Sequence, residues 1–149
     1  MLLNFDGNMN IAMSIRSAAV MGCSDIWIVG KRKYDARPEV GAKNYIRVHK
    51  IDNLENPMEF FESKEITPIL MEQGGTPLET MNFKKFIVSE KPVCFIMGSE
   101  GKGVPKEWID IIPTHISISQ YGLLRSFNVS IAASIVMYEY VKQMAKRSL

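Results

Sequence analysis

Short apolar runs alternate with segments of helical periodicity along almost the whole chain, and this alternation most narrows the folds open to it. The runs are Leu2–Phe5, Ile26–Val29, Thr67–Met71, Val93–Met97 and His115–Ile118, with a weaker alternating stretch at Tyr45–Val48. Each is too short for a helix, and Gly, Pro or polar residues bound most of them, so they read as strands. Between them, Asn10–Met21 repeats Ile11, Ile15, Ala18 and Ala19 at helical spacing and stops at Gly22. Pro57–Lys64 reads as a helix opened by Asn56 or Pro57, and Pro105–Ile111 as a helix with proline in its first turn. Val129–Met144 is the clearest helix, with Ile131, Ile135, Tyr138 and Val141 on one face. Gly74-Gly75-Thr76-Pro77 reads as a turn, and 31–44 as irregular loop. Strands separated by helices cannot pair as hairpins. The expected class is α/β, a mostly parallel sheet with helices on both faces.

The 149 residues suit one domain spanning 1–149. A hydrophobic share of 46% against 23% charged residues supplies a core and excludes a disordered chain. No apolar run approaches the roughly 18 residues that cross a bilayer. Met1–Gly7 lacks the charged-then-apolar layout of a secretion signal. Cys23 and Cys94 are too few for a disulfide framework and read as reduced core thiols of a cytoplasmic protein. The net charge of +2 hides an asymmetry. Between 31 and 50, Lys31, Arg32, Lys33, Arg37, Lys43, Arg47 and Lys50 are opposed only by Asp35 and Glu39. Between 52 and 79, Asp52, Glu55, Glu59, Glu62, Glu65, Glu72 and Glu79 face Lys64 alone. The basic stretch is either a solvated face or a surface for phosphates.

Three segments hold residues that their elements do not require. The first is Asn8-Met9-Asn10-Ile11-Ala12-Met13-Ser14-Ile15-Arg16. Helix capping accounts for Asn10. Arg16, in an otherwise apolar helix, is either a surface residue or a guanidinium aimed at a phosphate or carboxylate. The second, Met97-Gly98-Ser99-Glu100-Gly101-Lys102-Gly103-Val104-Pro105, directly follows a buried strand. A plain strand-to-helix turn needs one or two glycines, and three around a carboxylate favour a loop whose backbone approaches a ligand. It is neither a Walker loop nor a dinucleotide-binding fingerprint. The third runs from Ile116 to Ser130, where Ser126 reads as the N-cap of the last helix and Asn128 and Ser130 fall in its first turn. His49 and His115 lack ligand-spaced partners, so no metal is expected. No Gly-x-Ser-x-Gly element supports a serine hydrolase. Trp27 and Trp108 fit packing better than base stacking.

In order and spacing, the three segments resemble the three motifs of the SpoU (TrmH-like) family. These are S-adenosylmethionine-dependent RNA ribose 2′-O-methyltransferases of the SPOUT superfamily. Asn10 and Arg16 match the first motif, Gly98–Gly103 with Glu100 the second, and Ser126-Phe127-Asn128-Val129-Ser130 the third. Ala12 stands where the family usually has Gly, Phe127 where it has Leu, and Ser119-Gln120 where it has Pro-Met. The stretch Gln120–Ser126 is most similar to eukaryotic tRNA guanosine-18 ribose methyltransferases.

The resemblance implies a C-terminal deep trefoil knot, although chains as a rule do not thread loops. It implies S-adenosyl-L-methionine as cofactor, with S-adenosyl-L-homocysteine as product and no metal. Contacts to that cofactor are expected at Leu70, Gly98, Ile118, Leu123 and Phe127. Arg16 is expected to contact the phosphate beside the target ribose, with Asn10 and Asn128 orienting Arg16 and substrate. Glu100 would fix its loop or pair with Arg16, and Ser126 would hold the site. A guanidinium is a poor proton acceptor, so phosphate positioning is the firmer role for Arg16. A homodimer through the final helix is implied, as is an RNA substrate, tRNA first and rRNA as the alternative. The 31–50 segment and the tail Lys142, Lys146 and Arg147 are the candidate RNA contacts. Two other readings stay open: a non-catalytic RNA- or cofactor-binding module, and a plain Rossmann-like nucleotide enzyme.

Overall fold

The structure, a computed structural model, describes residues 1–3, 8–30, 33–124 and 126–145. Its strands are β1 (Leu2–Leu3), β2 (Asp25–Val29), β3 (Arg47–Ile51), β4 (Thr67–Pro77), β5 (Val93–Met97) and β6 (His115–Ser117). Its α-helices are α1 (Asn8–Val20), α2 (Pro57–Ser63), α3 (Lys106–Ile111) and α4 (Val129–Ala145). The strands form one six-stranded sheet in the order β3-β2-β1-β5-β4-β6, and every pairing is parallel.

Period-two burial divides the core between the two faces of the sheet. Leu2, Ile26, Ile28 and Met97 pack with Ile11, Ile15 and Ala18 of α1 and with Ala133 and Met137 of α4. Leu3, Val29, Leu70 and Ile96 pack with Phe61 of α2 and Trp108 of α3. Helices therefore cover both faces. Beside α4, Ile69, Phe83, Ile116 and Val136 make a third cluster. Small residues let α1 and α4 approach closely, and the Ser134 Oγ lies 2.8 Å from the Ser17 Oγ. Among the described residues, no helix is long and apolar enough to cross a membrane.

Local chemistry fixes the helix ends. After α1, the Cys23 amide bonds the Ala18 carbonyl and the Gly22 amide that of Ala19. This is a Schellman stop, and it needs the left-handed φ of 76° that Gly22 adopts. The Asn56 side chain accepts from the Glu59 amide at 3.3 Å and caps α2, with Pro57 at its first position.

Several sequence expectations shift. The strand predicted at Tyr45–Val48 lies at Arg47–Ile51, because Tyr45 closes the 3-10 turn Ala42–Asn44 and is 84% exposed. The segment 31–44 is not wholly irregular, since Arg37–Glu39 is also a 3-10 turn. Gly74–Pro77 is the second arm of β4 rather than a turn between elements. Met71 and Thr76 both lie opposite Ile116, so the chain leaves the sheet and returns in the same direction. Gly75 is pressed so closely on β6 that a Cβ there would meet the Ile116 amide nitrogen at 2.7 Å. The 3-10 helices Leu78–Thr80 and Phe83–Ser89 were not predicted. The expected continuation of β1 to Phe5 lies outside the described residues.

Candidate active site

The carboxyl ends of β4, β5 and β6 open on one cavity of about 300 Å³. In parallel sheets this is the end at which loops gather and ligands bind. Met71, Glu72 and Gln73 line it from the β4 excursion, and Met97–Glu100 from the end of β5. Ile118, Gln120, Ser126 and Phe127 line it from the segment that leads β6 back to α4.

The loop after β5 is braced internally. Ser99 and Gly103 exchange both backbone hydrogen bonds, at 3.1 and 2.9 Å. The Lys102 amide donates to the Ser99 Oγ at 3.2 Å. A Cβ on Gly98 would lie 2.3 Å from the Gly103 carbonyl carbon, and Gly103 holds φ at 67°. These glycines thus serve the loop's own folding, and both also line the cavity.

Three chain segments meet at the mouth of the cavity. The Asn128 Nδ2 donates to the Asn10 Oδ1 at 3.0 Å, and the Asn10 Nδ2 donates to the Glu100 Oε1. The Asn128 Oδ1 accepts from the amides of Ser130 and Ile131, at 3.0 and 3.3 Å. Asn128 is therefore the N-cap of α4, in place of the predicted Ser126, which instead lines the cavity. One side-chain chain joins the start of α1, the 99–103 loop and the start of α4. Glu100 is held by Asn10, so its alternative pairing with Arg16 is not formed. Arg16 lies six residues beyond Asn10, roughly 9 Å along α1. It is exposed, and no carboxylate partner is found among the described residues.

Of the residues expected to hold a cofactor, Gly98, Ile118 and Phe127 line the cavity, while Leu70 and Leu123 do not. Leu70 is fully buried between β4 and the helices α2 and α3, and its amide is taken by the Thr114 carbonyl at 2.9 Å. The wall is formed instead by the next residues, which leave the sheet. Leu123 is fully exposed at the tip of the 121–124 segment. Glu72 and Gln73 fall in the turn near 71–75 that the family resemblance implies beside the cofactor, although sequence reasoning did not name them as contacts. It also missed Glu79. A hydrogen bond from Ser119, with a weaker one from Tyr121, holds the Glu79 carboxyl below its ordinary range and ties down the segment beside Ile118 and Gln120.

Much of the basic stretch is neutralised within the chain. Arg37 pairs with Asp35 at 2.5 Å, Lys43 with Glu39 at 3.7 Å and Arg47 with Asp25 at 2.6 Å. The Arg37 guanidinium holds the Asp35 carboxyl down at about 2. The Asp25 carboxyl lies well below the usual carboxylate range, chiefly through Arg47 and further through His49 at 2.7 Å. Among the described residues no cluster of His, Cys, Asp and Glu is arranged to hold a metal ion.

A braced glycine loop and a hydrogen-bonded Asn–Asn–Glu chain thus stand at the carboxyl ends of a parallel α/β sheet. The chain belongs to the SpoU rRNA Methylase family, which matches residues 1–138. It is 24% identical over 143 residues to a tRNA (guanosine(18)-2′-O)-methyltransferase of Borreliella burgdorferi, covering 94% of this chain and 64% of that protein. It superposes on the TrmH/SpoU tRNA modifying enzyme of A. aeolicus with a TM-score of 0.83, at 22% identity and over 99% and 75% of the two chains. An AdoMet-bound rRNA methyltransferase from Sinorhizobium meliloti gives a TM-score of 0.83 at 25% identity, over 96% and 55%. The chain spans 64% and 50% of the length of two curated tRNA methyltransferases that it matches. Family membership implies the trefoil knot.

Proposed function

We propose that this chain transfers a methyl group from S-adenosyl-L-methionine to a ribose 2′-hydroxyl of RNA. The observation that carries this reading is the hydrogen-bonded chain Asn128–Asn10–Glu100 at the mouth of the cavity, with Arg16, which has no carboxylate partner among the described residues, on the same helix as Asn10. The cavity suits the cofactor chemically. Its volume of about 300 Å³ sits at the small end of the range for small-molecule sites. Met71, Met97, Ile118 and Phe127 offer apolar walls for a heteroaromatic ring, and Glu72 and Glu100 offer carboxylates for a cationic centre. Bound there, the cofactor supplies an electrophilic methyl on a good leaving group.

The chain's own task is then to place the ribose oxygen in line, with the proton it sheds passing to solvent water at the open mouth of the cavity. Arg16 holds the adjoining phosphate, Asn10 and Asn128 set the distance between α1 and α4, and Glu100 fixes the glycine loop. Ser126 and Phe127 shape the wall that the sugar meets. The preferred substrate is tRNA. The Borreliella relative's name and the resemblance of Gln120–Ser126 support it, and the name of the Sinorhizobium structure supports rRNA as the alternative. A homodimer through α4 is part of the reading. The helix turns Ile131 and Tyr138 outward, 43% and 58% exposed, and α1, which packs on α4, exposes Met9 and Met13. A single domain at work in the cytoplasm completes it.

Transfer of labelled methyl from the cofactor to bulk tRNA and bulk rRNA tests the proposal. The Arg16→Ala variant is expected to lose roughly a hundredfold in rate while binding S-adenosyl-L-homocysteine as tightly as the parent. Equal incorporation by both proteins overturns the assignment of Arg16. Calorimetry with S-adenosyl-L-homocysteine against NAD separates this reading from a nucleotide enzyme.

A further inference from the structure

We propose that Lys102 is an RNA-positioning residue that grips a backbone phosphate at the mouth of the cavity. This rests on the reading of the chain as an RNA methyltransferase. Five of the described cations, Arg37, Lys43, Arg47, Lys106 and Lys142, are already paired with a carboxylate. Lys50, Lys64 and Lys85 lie over aromatic rings. Arg16, Lys33, Lys84, Lys91 and Lys102 are exposed and without such a partner among the described residues, and of these only Lys102 stands on a segment that lines the cavity. A cation already paired releases fewer counterions on meeting a phosphate, because its carboxylate must first be displaced. The Arg37–Arg47 part of the 31–50 stretch is thereby weakened as an RNA surface, while Lys31, Arg32, Lys146 and Arg147 lie outside the described residues, and Lys102 is left as the exposed cation on the Ser99–Gly103 loop beside the cavity.

The placement of Lys102 is specific. It stands two residues after Glu100, which is tied to Asn10, on a loop closed by the paired backbones of Ser99 and Gly103. Its own amide is fixed to the Ser99 Oγ at 3.2 Å. The charge is therefore carried by a framework that needs no ordering when RNA arrives, which lowers the entropic cost of the contact. Arg16 stands on α1, six residues beyond the Asn10 to which Glu100 is tied.

The test compares Lys102→Ala, Lys102→Arg and, as a paired-cation control, Arg37→Ala in methyl transfer to bulk tRNA. Binding of the same RNA is followed by fluorescence anisotropy over a salt series. For Lys102→Ala, KM for RNA is expected to rise about fivefold, the effect of one exposed charge-assisted contact, while kcat at saturating RNA holds. The slope of log affinity against log salt should shrink by about 0.7–0.9. Lys102→Arg should restore both, and Arg37→Ala should move neither. S-adenosyl-L-homocysteine affinity should match the parent. An unchanged slope and KM for Lys102→Ala overturn the proposal, as does a loss of S-adenosyl-L-homocysteine affinity, which would mark a disturbed loop. If the parent transfers no methyl at all, the enzymatic reading fails, and the binding slopes still decide whether Lys102 meets phosphate.

Discussion

The two ends of the parallel strands each hold a cavity of nearly equal size, about 300 Å³ at the carboxyl ends and about 290 Å³ at the amino ends. The amino-end cavity is the more apolar of the two. The amino-end cavity lies among Ile26, Cys94, Phe95, Met137 and Val141, and burial there pushes the Cys23 thiol up. The carboxyl-end cavity is ringed by carboxylates, amides and braced backbone that come from separate parts of the chain. Volume alone therefore does not mark a site. Convergent polar groups held by a hydrogen-bonded framework do. Substitutions at the amino ends should cost stability and leave ligand binding intact, and those at the carboxyl ends should impair ligand binding or methyl transfer.

The largest effect is expected from Ile26→Ala, which enlarges the amino-end cavity and should lower unfolding free energy by about 3 kcal/mol. Urea denaturation measures it. The folded fraction should still bind S-adenosyl-L-homocysteine normally, and a matching loss of affinity would break the contrast. Gly98→Ala comes next, since its Cβ would collide with the Gly103–Val104 backbone. Calorimetry should show about a hundredfold loss of S-adenosyl-L-homocysteine affinity, close to 2.7 kcal/mol. Asn128→Ala removes a helix cap and the tie to Asn10 together. It should cost about 1 kcal/mol of stability and, unlike an ordinary cap, should also slow methyl transfer.

Two smaller effects sharpen the comparison. The Asp25 carboxyl, at the amino end of β2, is held low by Arg47 and His49. A carboxyl with a depressed folded pKa stabilises the fold above its unfolded value of about 3.9. That contribution is lost as pH falls through this value towards the folded one. The urea midpoint of the parent should thus drop more steeply below pH 4 than that of Asp25→Asn. Glu79→Gln should loosen the segment 119–121 and weaken S-adenosyl-L-homocysteine binding about twofold, since exposed hydrogen bonds contribute little. No change in affinity would show that Ile118 and Gln120 are held by the backbone alone.

What the sequence disclosed follows from how local each signal is. Val93–Met97 was read with its observed limits, because an apolar run between Pro and Gly needs no partner to define it. The three motif segments were legible because the carried residue types sit at fixed spacing. The Gly74–Pro77 arm was misread because two glycines and a proline signal a turn locally, while its strand character comes from Ile116, distant in sequence. Ser126 was read as a cap because it is a good capping residue. Only the geometry shows that Asn128 takes the amides. The α4 stripe of Ile131 and Tyr138 was legible as a face, but periodicity does not say whether that face turns inward. Here the core takes Ala133, Val136 and Met137 instead. Charge pairing was the least legible, since Asp25 and Arg47 meet only when β2 and β3 align.

The excursion of β4 has a consequence for how this chain tolerates changes in length. Both Met71 and Thr76 register on Ile116, and Gly75 touches the β6 backbone between them. Adding or deleting a single residue within 72–75 would turn the second arm over and carry Glu72 and Gln73 off the cavity wall. Surface loops ordinarily absorb such changes at little cost. This one works as a gauge block, and among related sequences its length should vary less than its composition.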